Sequence, residues 1–208
     1  MFAVVFEVQP KPDRWEQYLG LAKQLRPELE RIEGFIENER YKSRRTEGRL
    51  LSLSIWADEK SVIRWRTHAM HHGVQEKGRF EVFEDYHLRV GEITADTQIP
   101  SGRTLEQKRF DATEIGAAKL LSVCEGDAQT LAEAPRDGVH DWELFESITT
   151  PGKLLLLVSW RDGAAADAWQ PPSPARHRRV RVIRDYGMAD RREAPQFYPD
   201  VARRGGGS

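Results

Sequence analysis

The sequence predicts an α+β fold in which two ferredoxin-like βαββαβ repeats form one α/β barrel within a single chain. The first observation is an internal repeat, because residues 41–56 align without a gap with residues 145–160 and bring Trp56 and Trp160 into register. The second is that each copy reads as strand, helix, two strands, helix and strand, which is the order of a ferredoxin-like unit. The third is that helices can cover only one face of each sheet, so the two remaining apolar faces are expected to meet inside a barrel.

The elements of the first copy follow from local patterns. An apolar, β-branched run predicts the first strand, and apolar residues at helical spacing after it predict a helix. Asp13 and Glu16 have the spacing of a capping box at the start of this helix, and Pro27 is expected to kink it. Two runs around a glycine turn predict a hairpin, and Asp58 is a suitable N-cap for a second helix. The predicted elements are strand Phe2–Val8, a helix from Asp13 to Gly34, strands Phe35–Ser43 and Arg49–Trp56, a helix after Asp58 and strand Arg79–Ile93.

The second copy repeats this order in a reduced form. Its first helix is short, at Asp127–Ala134, and three prolines at positions 171, 172 and 174 cut its second helix, which begins near Asp162. Phe110–Ile115, which precedes the first strand of this copy, could form an additional edge strand. The predicted strands of this copy are Lys119–Glu125, Val139–Ile148, Lys153–Trp160 and Arg178–Met188.

These elements divide the chain into four parts. We expect a first repeat at residues 1–93, which holds the pocket, and a linker at 94–114 that is rich in proline, glycine and polar residues. A degenerate second repeat is expected at 115–200. The tail at 201–208 ends in Gly-Gly-Gly-Ser, which we interpret as an added linker.

Composition favours a globular protein of the cytoplasm. The 208 residues hold 32 Lys and Arg against 33 Asp and Glu, a formal net charge of −1 that argues against a nucleic-acid or membrane-surface protein. The basic run Arg176–Arg184 alternates as a strand with acidic neighbours and lacks an aromatic stacking platform, so no nucleic-acid partner is predicted. Cys124 is the single cysteine, which excludes a disulfide framework. No apolar stretch approaches the roughly 20 residues of a membrane span, and the strand pattern at the N-terminus leaves no room for a signal peptide.

Several segments of the first copy form a recognisable set. They are the Phe2–Val8 strand, Gly34-Phe35, the run Leu51–Trp56, the helical run from Trp65 to His71, Gln75, Gly78-Arg79 and Tyr86. This set resembles the antibiotic biosynthesis monooxygenase family of dimeric α/β barrels. The resemblance covers about residues 1–93, whereas the second copy matches only through its hairpin, its tryptophans and Asp185-Tyr186.

The resemblance implies a pocket between a sheet and its own helices. It also implies relatives that oxygenate electron-rich polycyclic phenols without a cofactor, and others that degrade haem. A cofactor-free site of this kind must bind a ring in an apolar cavity and stabilise negative charge with a few donors. In this chain we expect the pocket between the first sheet and the helix at Asp58–Gln75.

Three histidines on the second predicted helix are the candidates for proton transfer. His68, His71 and His72 share a helix face at spacings of three and four residues, and an imidazole titrates near neutral pH. The spacing also suits a metal, but no zincin glutamate and no third ligand accompany it, so no metal site is predicted. On the second strand, alternation places Asn38 on the face opposite Phe35 and Tyr41, and both Asn38 and Tyr41 are candidate donors.

The sequence therefore predicts an oxygenase that acts on a small, planar, acidic aromatic molecule with O2 and without a cofactor. Trp65, through its indole N–H, and Asn38 are expected to stabilise the anionic substrate, and His68 or His71 to move the proton. The expected substrate-binding residues are Phe6, Phe35, Tyr41, Met70, Gln75 and Tyr86.

Two other functions stay open at this point. A haem-binding or haem-degrading protein would use His71 or His72 as axial ligand, although the position that the resemblance implies for that histidine holds Gln75 and the expected first-strand asparagine is absent. A non-catalytic ligand-binding barrel is favoured if all three histidines point into solvent. The sequence also leaves open whether two fused barrels pair as a homodimer.

Overall fold

The computed structural model of the protein describes residues 1–131 and 134–195. Its strands are β1 (Phe2–Pro10), β2 (Phe35–Ser43), β3 (Leu50–Trp56), β4 (Phe83–Asp96), β5 (Leu120–Gly126), β6 (Val139–Ser147), β7 (Leu154–Trp160) and β8 (Arg176–Gly187). Its helices are α1 (Trp15–Arg31), α2 (Glu59–Thr67), α3 (Ala69–Lys77) and α4 (Gly163–Ala168). A 3-10 turn at Pro12–Arg14 precedes α1, and a π-helical turn at Gly78–Val82 follows α3.

The eight strands close into one antiparallel barrel in the order β1-β3-β2-β6-β7-β5-β8-β4. Each repeat contributes a sheet of four strands, β4-β1-β3-β2 and β8-β5-β7-β6, which is the ferredoxin-like order. The sheets join edge to edge. One seam is short, where Tyr41–Ser43 pairs with Phe145–Ser147, and the other is long, where His87–Asp96 pairs with Arg178–Gly187. The predicted α+β barrel of two repeats is therefore confirmed.

Strand alternation divides the apolar residues between the barrel interior and the helix-covered faces. On β1, Ala3 and Val5 point inward, whereas Phe2 and Val8 pack in clusters on the outer side. Tryptophans that end equivalent strands are buried on the outer faces, Trp56 beside α2 and Trp160 beside α4. The interior core is formed by residues of both repeats, among them Val5, Tyr41, Leu51, Leu53, Ile55, Ile93, Leu121, Val123, Phe145, Leu155, Leu157, Val180 and Val182.

Most arginines of the basic run on β8 form ion pairs with carboxylates. Arg178 is fully buried and forms ion pairs with Glu37 and Glu125, and Arg176 binds Asp96 at 2.8 Å. A buried guanidinium needs such partners, because its desolvation is otherwise costly. These arginine side chains are therefore part of the packed structure around β8.

The helix signals of the first repeat have mixed outcomes. Asp58 caps α2 as predicted, since its Oδ1 accepts from the backbone N–H of Ser61 at 2.8 Å. The prediction of a capping box at Asp13 is wrong, because Asp13 lies in the 3-10 turn and α1 begins at Trp15 without a side-chain cap. Helix α1 continues through Pro27.

Other boundaries also differ from the prediction. The second helix of the first repeat breaks at His68, whose extended backbone separates α2 from α3, and the π-helical turn delays the start of β4 to Phe83. Residues 110–115 form no strand, and residues 127–131 form a turn. Ala132 and Glu133 of the predicted short helix lie outside the described residues, as does the tail at 201–208. Within 1–131 and 134–195, no helix has the length and apolar character needed to cross a membrane.

Candidate functional site

A cavity of about 200 Å³ lies between the outer face of the first repeat's sheet and helices α1, α2 and α3. Helix α1 supplies an apolar side of the roof, and α2 and α3 supply an aromatic and polar side. The apolar residues that line it include Val4, Phe6, Leu21, Ala22, Leu25, Leu29, Val62, Val74, Phe83, Leu88 and Val90. The volume lies below the ~300–1,000 Å³ typical of pockets for drug-sized ligands, so the cavity is suited to a small molecule.

Strand register arranges the cavity floor in two rows of residues that run across five strands. The first row is Arg184, Val90, Val4, Ser54 and Asn38, from β8 through β4, β1 and β3 to β2. The second row is Tyr186, Leu88, Phe6, Ser52 and Arg40 in the same strand order. Directly paired residues face the same side of a sheet. Each row therefore has an apolar centre and polar ends.

His71 and Trp65 form a stacked pair on the wall of the cavity. Their ring centroids are 4.1 Å apart with 13° between the planes, and His71 Nδ1 lies 2.9 Å from the carbonyl oxygen of Trp65. Because a carbonyl only accepts hydrogen bonds, Nδ1 carries the proton and Nε2 keeps its lone pair. Burial lowers the pKa of His71 to about 4, against the opposite effect of the bond to the carbonyl. The imidazole is thus neutral at pH 7, with an unprotonated Nε2.

Asn38 lines the cavity as an acceptor. Its amide Nδ2 donates to Ser52 Oγ and to the carbonyl of Leu53, both at 2.9 Å, which uses both N–H bonds. Oδ1 is buried and has no hydrogen-bond partner among the described residues. The expected donation from Asn38 to an anionic substrate does not fit this geometry, because the carbonyl partner fixes the orientation of the amide.

Arginines dominate the charged lining of the cavity. The guanidinium-bearing residues on its wall are Arg40, Arg66, Arg79, Arg184 and Arg191. Among the described residues of the lining, Glu59 supplies the carboxylate, and Arg109 already binds it at 2.7 Å. The cavity therefore favours an anion.

A tyrosine pair marks the end of the cavity beside β8. The Tyr86 hydroxyl accepts from Arg79 at 3.3 Å and also from Arg191, and Arg79 donates in addition to the carbonyl of Met188 at 2.9 Å. The guanidinium of Arg191 lies 5.6 Å from the ring centre of Tyr186. Residues that follow β8 thus help to close a cavity of the first repeat.

Six of the predicted site residues line this cavity, and the others lie elsewhere. Those on its wall are Phe6, Asn38, Trp65, His71, Gln75 and Tyr86. The predicted histidine face does not form, because the break at His68 separates the helices. His68 lies 3.8 Å from Glu28 outside the cavity, and His72 is exposed. Of the histidines considered as haem ligands, His71 is accordingly the one on the cavity wall.

The remaining predicted contacts are corrected by strand geometry and exposure. Tyr41 points into the barrel, where its hydroxyl donates to Glu125 Oε1 at 2.6 Å, because a residue three positions after Asn38 faces the other side of the strand. Phe35 packs edge-on against Trp56, with ring centroids 5.5 Å apart, and Met70 is 44% exposed on α3. None of the three lines the cavity.

The arginines and Tyr186 were missed at the sequence level. Arg40 shares a strand face with Asn38, so alternation alone could have found it. Arg184 could not be found in this way, since regular alternation places it on the interior face with Val180 and Val182.

Comparison with known proteins agrees with the fold and the resemblance. The sequence profile described as antibiotic biosynthesis monooxygenase matches residues 1–77. A protein from Pyricularia oryzae named jasmonate monooxygenase ABM is 45% identical over 219 residues, which cover 97% of this chain and 100% of that protein.

One solved structure shares the architecture of this chain at low identity. An aldoxime dehydratase solved in complex with butyraldoxime is 12% identical, with a TM-score of 0.57 over 88% of this chain and 79% of that chain. A structure described as antibiotic biosynthesis monooxygenase is 12% identical, with a TM-score of 0.41 over 46% of this chain and all of that chain. The nearly full-length similarity to the Pyricularia protein decides the family: this chain belongs to the antibiotic biosynthesis monooxygenase family.

Proposed function

We propose that the chain is a monooxygenase that acts on a small apolar organic acid in the cavity of the first repeat, without a bound cofactor. The observation that carries the proposal is the neutral imidazole of His71, stacked on Trp65 at the edge of an apolar floor. Such a pair combines a base with an indole N–H donor, and the Trp65 indole N–H makes no hydrogen bond with a described residue. Family membership supports oxygen chemistry.

The substrate class rests on two arguments. The Pyricularia relative is named for jasmonate, a cyclopentanone that carries an alkenyl chain and a carboxylate. The sequence resemblance favours a planar acidic aromatic molecule instead. Both classes combine an apolar body with an acidic group, which suits a cavity lined by apolar residues and arginines.

A reaction without a cofactor must take its electrons from the substrate. His71 Nε2 removes a proton from an activated methylene group, and the Trp65 N–H donates to the oxygen on which the negative charge develops. The carbanion then reduces O2, one oxygen atom forms a carbonyl double bond at that carbon, and the other leaves in water. The step balances, because one methylene group and one O2 molecule give one carbonyl group and one water molecule, and both methylene hydrogens end in the water.

Oxygen uptake with isotope labelling tests this proposal. The purified chain is incubated with jasmonic acid, or with an electron-rich tricyclic phenol, under 18O2 with a chelator and without reductant. We expect one O2 consumed per product and one labelled atom in each product molecule. A strict requirement for NADH or flavin would contradict the cofactor-free reaction, because hydroxylation of a C–H bond with release of water needs two external electrons and two protons for each O2.

The same preparation separates the alternative functions. Tight binding of either compound without oxygen uptake would support a non-catalytic ligand-binding barrel. A Soret absorption band after haem titration, lost in His71→Ala, would support the haem-binding function.

A further inference from the structure

We propose that Arg184, a residue of the second repeat, binds the carboxylate of the substrate in the cavity of the first repeat. The inference rests on the proposed function for the substrate class and adds the residue that selects it. It also gives the degenerate second repeat a role in specificity besides completing the barrel.

A β-bulge in β8 places Arg184 in the cavity. Before the bulge, Val180 and Val182 point into the barrel, so regular alternation would send Arg184 inward as well. The pairing of β4 with β8 shifts register here, because Val90 pairs with Arg184 whereas the next residue, Gly91, pairs with Val182. Ile183 is the extra residue. Arg184 therefore faces outward beside Val90 and lines the cavity.

The guanidinium of Arg184 is available to a ligand. Its side chain makes no ion pair or hydrogen bond with any residue in 1–131 or 134–195, in contrast to Arg176 and Arg178 on the same strand. A half-buried, unneutralised guanidinium in an apolar cavity is a strong site for a carboxylate, which it can bind through two parallel hydrogen bonds.

The surroundings reinforce the positive potential at this end of the cavity. Arg66, Arg184 and Arg191 all act on the phenol of Tyr186, where their charges oppose the effect of burial, which raises the Tyr186 pKa to about 12. The phenol therefore stays protonated and can donate a hydrogen bond to an anion. Arg191 reaches this end from the segment after β8.

The first row of the floor then orients the substrate. In this row Val90 and Val4 follow Arg184. Trp65 packs in the same apolar cluster as these two valines. A carboxylate at Arg184 lays the apolar body over the valines, at about 4.8 Å per strand. The body thus lies beneath the stacked pair of Trp65 and His71.

Calorimetric titration with jasmonic acid and its methyl ester tests the proposal without requiring turnover. The variants are Arg184→Gln, Arg184→Lys, which keeps the charge, and Arg192→Gln, a matched loss of an exposed arginine outside the cavity. Thermal denaturation of each variant checks that it folds. We expect Arg184→Gln to weaken binding of the acid by about 10- to 100-fold and to leave ester binding unchanged. Arg184→Lys should recover part of the loss, and Arg192→Gln should bind both compounds as the wild type does.

Three outcomes would overturn the proposal. They are equal loss of acid and ester binding in Arg184→Gln, a wild type that binds acid and ester equally, and a wild type that binds neither. Selective, Arg184-dependent binding of the acid without oxygen uptake would instead contradict the monooxygenase function and leave this assignment in place.

Discussion

His71 is the residue on which the proposed chemistry depends most directly. Its replacement by Gln keeps a polar side chain but removes the basic nitrogen, so we expect kcat to fall by about 10²- to 10⁴-fold with little change in KM. Steady-state oxygen uptake measures both constants. His140→Gln is the matched control, since His140 is exposed on β6, away from the cavity. A variant of His71 with unchanged kcat would remove it from the proton transfer.

His177 makes the stability of the fold sensitive to mild acid. This histidine is 7% exposed, its Nε2 lies 3.0 Å from Ser122 Oγ, and burial lowers its pKa to about 4. An unfolded histidine titrates near 6.5, so between pH 6.5 and pH 4 the unfolded chain binds more protons than the folded one. The free energy of unfolding therefore falls as the pH is lowered through this range, and His71 acts in the same direction.

Urea unfolding at pH 7 and pH 5 measures this contribution. His177→Gln can keep the bond to Ser122 without a titratable ring, so we expect it to lose less stability than the wild type between these pH values, by about 1–2 kcal/mol. His140→Gln should show the wild-type loss. Identical pH dependence in the wild type and His177→Gln would contradict the account.

Some side chains of the site could be assigned from sequence, and the orientation of others could not. Trp65 and His71 were found because apolar helical spacing and the histidine cluster are visible in the sequence. The orientation of the Asn38 amide could not be predicted, because its hydrogen-bond partners lie on β3. The helix break at His68, which separates the three histidines, could not be predicted either, because no proline or glycine marks it in the sequence.

At the scale of elements, the cap of α2 links stability to the site. Asp58 caps α2, and Asp162 caps the equivalent helix α4 through the N–H of Ala165 at 2.8 Å. Replacement of either by Ala should lower the free energy of unfolding by about 1 kcal/mol. Only Asp58→Ala should also weaken binding of jasmonic acid, because α2 carries Trp65. Urea unfolding and calorimetry measure the two effects, and equal loss of binding in both variants would contradict this division.

Strand and helix order could be predicted well, because hydrophobic periodicity, turn glycines and the repeat all agree. Bulges could not be predicted, because one extra residue leaves the hydrophobic pattern nearly unchanged. The extra residue nevertheless moves every later side chain of the strand to the opposite face of the sheet. The bulge between Phe35 and Glu37 in β2 and the bulge at Ile183 in β8 both escaped prediction. The second of these decides which residues reach the cavity.

At the scale of the whole molecule, each sheet needs the other to cover its inward face. A fragment of residues 1–97 would expose interior side chains such as Leu51, Leu53 and Ile55, and would leave the β2 and β4 edges unpaired. We expect this fragment to self-associate. Light scattering after size-exclusion chromatography measures its mass. A fragment that stays folded and monomeric at micromolar concentration would contradict the interdependence of the two repeats.

The central claim is that a cavity of the first repeat, completed by β8 of the second, holds the substrate. A crystal structure of the chain with jasmonic acid tests it most directly. We predict ligand density between the sheet and helices α1 to α3, with the carboxylate at Arg184 and the apolar body over Val4 and Val90. Ligand density inside the barrel, or on the outer face of the second repeat, would contradict the claim.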